Sequence, residues 1–272
     1  MIFYSIKLNW YLILNDFDYF KKIVKDTLGV DLDMSDPDRN FTKMEKFCKE
    51  MGVTIGFRKY HLSLVDEEEI SIFKKRLINV ITINETSFFR DKIPFDYLKD
   101  YINGMKNISA LSIPSSTGQE AYSLAMLFEE SKILQYSVIG FDICEEVVEY
   151  ANKGIYSSFE VKRGLDSEYL LRYFEQLANK YEISDKLKYH VKFFQSNILN
   201  PTIDLKKYDI ILCRNLLIYF NDKTRVEVLE NIVAHMLTGG KLMLGAGERV
   251  EHPSLQVEYF NGMAVYTKML IK

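Results

Sequence analysis

A chain of 272 residues, 47% hydrophobic and 27% charged, has the composition of an ordinary globular protein and room for one large domain or two smaller ones. A formal net charge of −3 excludes a general affinity for nucleic acid, which needs clustered Lys and Arg. Three cysteines and four histidines at scattered positions make neither a metal-ligand spacing nor a disulfide framework, so no metal is expected and a reducing cytoplasm fits best.

The apolar start, MIFYSIKLNWYLIL, is interrupted by Lys7 and Asn9 and is too short to span a bilayer, so it is expected as a docked strand or helix of the first domain. Residues 16 to 100 read as helices. Phe17, Phe20, Val24 and Leu28 share one helical face, with Gly29 placed to end it. Phe41, Met44, Phe47 and Met51 repeat the pattern before Gly52, and Ile70, Phe73, Leu77 and Ile81 define a third helix behind the acidic run 66–69. The segment Asn84-Glu-Thr-Ser-Phe-Phe-Arg-Asp91 reads by itself as a helix end and a new cap carrying two core phenylalanines.

From Ser109 the pattern alternates strand and helix. Ala110 to Ile113 is a short strand, and Ser115-Ser-Thr-Gly-Gln-Glu120 is a turn into a helix with Ala121, Leu124, Ala125 and Phe128 on its apolar face. Ser137 to Phe141 is a second strand ending at Asp142. A Gly-containing turn followed by an acid at the end of the next strand is the arrangement that binds nucleotides, the acid accepting from ribose hydroxyls. With one glycine in the turn, the motif alone is weak.

Cys144 to Asn152 reads as a helix ending at Gly154, and Leu165 to Leu177 as another whose aromatics belong to the core. Tyr189 to Phe194 alternates as a third strand leading to Asn197. The fourth strand lies in YDIILCRNLLIYF, residues 208 to 220, where Arg214 and Asn215 follow an apolar run of strand length. Ligands in open α/β sheets sit outside the carboxyl ends of the strands, so a charged residue and an amide there mark the floor of a site. Lys223 to Leu237 reads as a helix stopped by Gly239-Gly240, and Lys241 to Leu244 as a fifth strand. Leu255 to Phe260, Asn261-Gly262 and Ala264 to Ile271 form a hairpin, because Asn-Gly favours a type I′ turn.

Five strand–helix units closed by an antiparallel hairpin predict an α/β fold. It is that of a class I S-adenosylmethionine-dependent methyltransferase, with a Rossmann-like seven-stranded sheet after a small all-α domain. Rossmann dehydrogenases lack the hairpin. The expected division is a helical domain over 1–103 and a cofactor-binding domain over 104–272, with room for a small β-subdomain near 175–190.

Four segments in order, NETSFFRD, SSTGQEAYSLAM, GFDICEEVVEYANKGIY and LCRNLLIYF, resemble the CheR family of chemotaxis receptor glutamate methyltransferases. The resemblance implies S-adenosyl-L-methionine as cofactor and S-adenosyl-L-homocysteine as product. It implies transfer of the methyl group to glutamates in the cytoplasmic coiled coil of methyl-accepting chemotaxis receptors. The chain would act as a cytoplasmic monomer, without nucleic acid or membrane insertion. Carried over by position, Asn84, Thr86, Arg90, Glu120, Asp142, Asn197, Ile198, Arg214 and Asn215 would line the cofactor, with Asp142 on the ribose and Asn197 and Ile198 near the adenine. Arg90 and Tyr219 would be catalytic, lying where methyl donor and substrate carboxylate meet. The turn, with its single glycine, supports a second reading, a cofactor-binding signalling adaptor of weak catalytic power.

Overall fold

In a computed structural model, residues 2–32, 36–54, 56–200 and 207–270 are described, with side chains in the first helix from Asn15 onward. Contacts divide the chain into two compact units: Met1–Ile83 with Tyr219–Thr224, and Asn84–Ile218 with Arg225–Lys272.

The first unit is helical. Helix α1 spans Ile2–Leu28 and takes up the apolar start of the chain; among the described residues no helix is long and apolar enough to cross a membrane. Its expected face is buried at Phe17, Phe20, Val24 and Leu28. Helix α2 (Pro37–Glu50) begins at Asp36, whose side chain accepts from the Arg39 N–H, and it buries Met44 and Phe47. Helix α3 (Phe57–Ser63) was not foreseen. Its first turn is capped from a distance, Asp16 accepting from the N–H groups of Phe57 and Arg58, both at 3.0 Å. Helix α4 (Glu67–Ile81) is capped by Asp66, which accepts from Glu68 and Glu69. Phe20, Phe47, Phe57 and Phe73 meet at the centre, with Phe20–Phe57 and Phe47–Phe73 edge-to-face at 5.0 Å. Burying each such ring is worth about 1.5–3 kcal/mol.

The second unit opens with α5 (Lys92–Tyr101), then β1 (Asn107–Ser112), α6 (Gln119–Glu130), β2 (Gln135–Asp142) and α7 (Glu145–Lys153). Next come β3 (Ile155–Ser157), α8 (Ser158–Lys162), α9 (Ser167–Tyr173), β4 (Phe174–Leu177), β5 (Lys180–Ile183) and α10 (Asp185–His190). The chain continues through β6 (Val191–Gln195), β7 (Tyr208–Cys213), a 3-10 turn (Leu217–Tyr219), α11 (Asp222–Ala234), β8 (Met236–Leu244), β9 (Leu255–Phe260) and β10 (Met263–Lys268). The main sheet has seven strands in the order β6-β2-β1-β7-β8-β10-β9. The first five pair in parallel and the last two close as an antiparallel hairpin. Asn261 and Gly262 both have positive φ, as a type I′ turn requires. The strand order reverses on either side of β1, which opens a crevice at the carboxyl ends of β1, β2 and β7. This is the expected methyltransferase architecture.

The structure departs from the sequence reading in four places. The expected helix over 165–177 ends at Tyr173, and Phe174–Leu177 becomes β4 because it pairs with β5. Tyr189 and His190 close helix α10, anchored by buried Leu187, and the third strand begins at Val191. Helix α11 ends at Ala234, before the glycine pair expected to stop it. Gly239 and Gly240 lie within β8, where its register to β7 shifts and any Cβ on Gly240 would come within 2.8 Å of the Leu237 carbonyl. Helix α5, expected in the helical domain, sends Phe95, Leu98 and Ile102 into the core of the second unit, so the division by contacts falls after Ile83.

A second, three-stranded sheet of order β3-β5-β4 is antiparallel throughout; β4 and β5 occupy residues 174–183, and β3, at 155–157, lies outside the span of 175–190 expected for a small β-subdomain.

Candidate functional site

The turn from β1 into α6 is fixed by its neighbours. The Ser115 N–H donates to the Phe141 carbonyl at 2.7 Å, and the Gly118 N–H to the Ser115 carbonyl at 2.9 Å. Gly118 has φ +93, and a Cβ there would lie 2.8 Å from the Ala151 side chain. Only glycine lets α6 start this close to α7. The turn aims the Ser116 N–H at Asp142, the last residue of β2, which accepts it on Oδ2 at 2.8 Å and the Cys144 N–H on Oδ1 at 3.0 Å. Asp142 is only 4% exposed. Burial raises its carboxyl above the ordinary value, while the N–H groups of Cys144, Ser116 and Ile143 pull the other way. A carboxylate has about four acceptor sites, so these backbone donors leave capacity for a further donor such as a sugar hydroxyl.

Beside it, Arg214 follows the end of β7 and is also buried. Its Nη1 donates to Glu120 Oε2 at 2.8 Å and its Nη2 to Asp91 Oδ2 at 2.5 Å. The second oxygen of Glu120 accepts from the Ser112 hydroxyl at 2.7 Å. Three segments distant in sequence are thus joined through one guanidinium. The next residue, Asn215, has φ +59 and is held by Glu248, which accepts its N–H at 2.9 Å and the Gly245 N–H at 2.7 Å on the same oxygen. Glu248 ties the end of β7 to the end of β8.

The segment 84–91 reaches the turn after β1 and helix α6 through its backbone. The Ser116 hydroxyl donates to the Asn84 carbonyl at 3.1 Å, and the Phe89 N–H donates to Ser123 Oγ at 2.9 Å. Arg90 is half-buried and gives one Nη1 hydrogen bond, 2.8 Å, to the Glu85 carbonyl. Thr86 is half-buried in the same segment. Past β6, the Ser196 N–H donates to the Asp142 carbonyl at 2.8 Å, which brings Asn197 to the same strand ends. Asn197 accepts the Leu199 N–H on its side chain, and Ile198 is buried with its carbonyl accepting from Asn231. Tyr219 groups with the helical unit, its carbonyl accepting the Asp31 N–H at 3.2 Å.

Asn84, Glu120, Asp142, Arg214 and Asn215 therefore gather at the strand ends, with Asn197 next to Asp142. Sequence reasoning missed Asp91, Ser112, Ser116 and Glu248. Asp91 closes the NETSFFRD segment, a signal that could have found it.

Two buried side-chain atoms at these strand ends have no hydrogen-bond partner among the described residues: Ser115 Oγ and Arg214 Nε. Buried polar groups without partners are costly, so both suit an ordered water or a polar ligand group. Together with the open acceptor sites of Asp142, they fit the ribose and amino-acid parts of S-adenosyl-L-methionine.

A family model described as the CheR methyltransferase, SAM binding domain, matches residues 84–265. Chemotaxis protein methyltransferase 1 of Pseudomonas aeruginosa is 27% identical over 253 residues, which cover 87% of this chain and 91% of that protein. Chemotaxis protein methyltransferase 1 of Vibrio cholerae is 34% identical over 183 residues, covering 63% and 66%. The probable biofilm formation methyltransferase WspC of Pseudomonas aeruginosa is 31% identical over 186 residues, covering 63% of this chain and 43% of that protein.

Proposed function

The chain belongs to the CheR methyltransferase family, with S-adenosyl-L-methionine as its cofactor, and from that premise we propose that it methylates glutamate side chains on the cytoplasmic domains of chemotaxis receptors, for sensory adaptation. The observation that carries this reading is the joining of the arginine-bearing segment to the cofactor end of the sheet, through Asp91–Arg214 at 2.5 Å and Ser116–Asn84 at 3.1 Å. The names of the relatives support the substrate class.

Bound at the strand ends, S-adenosyl-L-methionine supplies a methyl group on a positively charged sulfonium, and S-adenosyl-L-homocysteine is the neutral leaving group. A glutamate carboxylate is ionised at pH 7, so the chain needs no strong general base. Its task is to align the carboxylate and exclude water, and alignment of this kind can lower a barrier by about 7–11 kcal/mol. Asp142 holds the ribose. Asn84, Thr86, Glu120, Asn197, Ile198, Arg214 and Asn215 line the rest of the cofactor. Arg90 offers a planar fork matched to a carboxylate. Tyr219 keeps a proposed catalytic role, tested by Tyr219→Phe with folding as the control.

The test is transfer of label from methyl-labelled S-adenosyl-L-methionine to purified receptor cytoplasmic fragments, followed by mild base. Methanol released by base identifies a methyl ester and supports the proposal. Cofactor binding without transfer to any receptor fragment would overturn it in favour of a signalling adaptor.

A further inference from the structure

The small sheet of β3, β5 and β4 is separate from the main sheet, yet it touches both segments that build the site. Tyr156, in the middle of β3, is fully buried. Its hydroxyl donates to the Thr117 carbonyl at 2.7 Å, inside the turn that presents Ser116 to Asp142. Its ring meets Phe88 edge-to-face at 5.1 Å, inside the segment that carries Arg90. Phe88 is fully buried and is met from β4 by Phe174 at 5.5 Å. Gly164, after α8, has φ +94, and a Cβ there would lie 2.1 Å from the Phe88 carbonyl oxygen. Next to it, Arg163 donates to Glu85 at 2.6 Å.

Apolar packing of Phe88 would need only a ring. A buried hydroxyl carries a desolvation cost unless it is paired, and here it is paired to the cofactor turn. We infer that Tyr156 is a positioning residue for methyl transfer: it sets the cofactor turn and the arginine-bearing segment at a fixed spacing, with the small sheet as the bracket. This rests on the cofactor placement proposed above.

The experiment is calorimetric titration of S-adenosyl-L-homocysteine into the full chain and into Tyr156→Phe, which keeps the ring and removes only the oxygen. Amide hydrogen exchange over residues 84–91 is followed in parallel. Tyr156→Phe is expected to bind roughly 5- to 10-fold more weakly, the loss of one buried hydrogen bond, and to exchange faster over 84–91. Affinity within twofold of the parent chain, with unchanged exchange, overturns the inference even if the melting temperature falls, since a purely structural tyrosine would behave that way. Should Tyr156→Phe not fold, Phe174→Leu loosens the same bracket from β4. Faster exchange over 84–91 in that variant supports the bracket, and unchanged exchange sinks it. A parent chain that binds no S-adenosyl-L-homocysteine removes the cofactor placement and the inference with it.

Discussion

Arg214 and Glu120 form a buried ion pair at 2.8 Å, linking the end of β7 to the first turn of α6. Their side chains are 4% and 10% exposed. Removing one partner of such a pair strands the other charge away from water. Arg214→Ala is therefore expected to lower unfolding stability by about 3–5 kcal/mol in urea titrations. Asp91, the second partner of Arg214, is half-exposed, and Asp91→Asn should cost no more than about 1 kcal/mol. Similar losses in both variants would show that the pair is not organised around the buried Glu120.

Glu248 gives a second stability prediction. Its carboxylate takes the N–H groups of Asn215 and Gly245 and, at 3.3 Å, that of Ile218. Glu248→Ala strands at least two donors near the left-handed Asn215, at a cost of about 2–4 kcal/mol. Affinity for S-adenosyl-L-homocysteine should fall with it, because Asn215 loses its anchor. A stable variant that binds normally would remove Glu248 from the site.

The pH dependence follows from Asp142, whose carboxyl burial raises above 3.8. With the folded pKa above the unfolded one, the folded chain binds a proton first as pH falls. The contribution of this group to stability is thus greatest below the unfolded pKa and declines as pH rises through the folded value. Cofactor binding runs the other way, since the ribose hydroxyls need an ionised acceptor. Affinity for S-adenosyl-L-homocysteine should fall on acidification with a midpoint above the ordinary aspartate range. In Asp142→Asn that acid limb should be absent, and titrations at a series of pH values check both.

Much of this was legible in the sequence. The parallel strands announce themselves as short apolar runs, α7 ends at Gly154 in the left-handed conformation, and Asn261-Gly262 marks the hairpin. Asp142 and Arg214 were readable because they follow such runs directly. What escaped was set by contacts between distant residues. Helix α3 depends on a cap from Asp16, 41 residues earlier. Phe174 continues the helical spacing of α9, and only pairing with β5 turns it into a strand. Asp91 stands in a recognisable segment, but its partner is an arginine 123 positions later, and Glu248 takes its role from an amide 33 positions earlier.

Arg90 tests catalysis apart from folding. It is half-buried, and its one hydrogen bond to Glu85 is replaceable by water. Arg90→Ala should leave the melting temperature nearly unchanged and lower turnover on receptor fragments by roughly a hundredfold or more, the scale of losing a positioned charge in a transition state. Parallel losses of melting temperature and activity would make Arg90 a structural residue.

Titrating S-adenosyl-L-homocysteine into the chain and into Asp142→Ala tests the proposed seat of the cofactor at the carboxyl ends of β1, β2 and β7. The parent chain should bind, and the variant should bind roughly tenfold or more weakly, as expected for loss of charged hydrogen bonds to the ribose. Equal affinity in the two, or no binding by the parent chain, would contradict it.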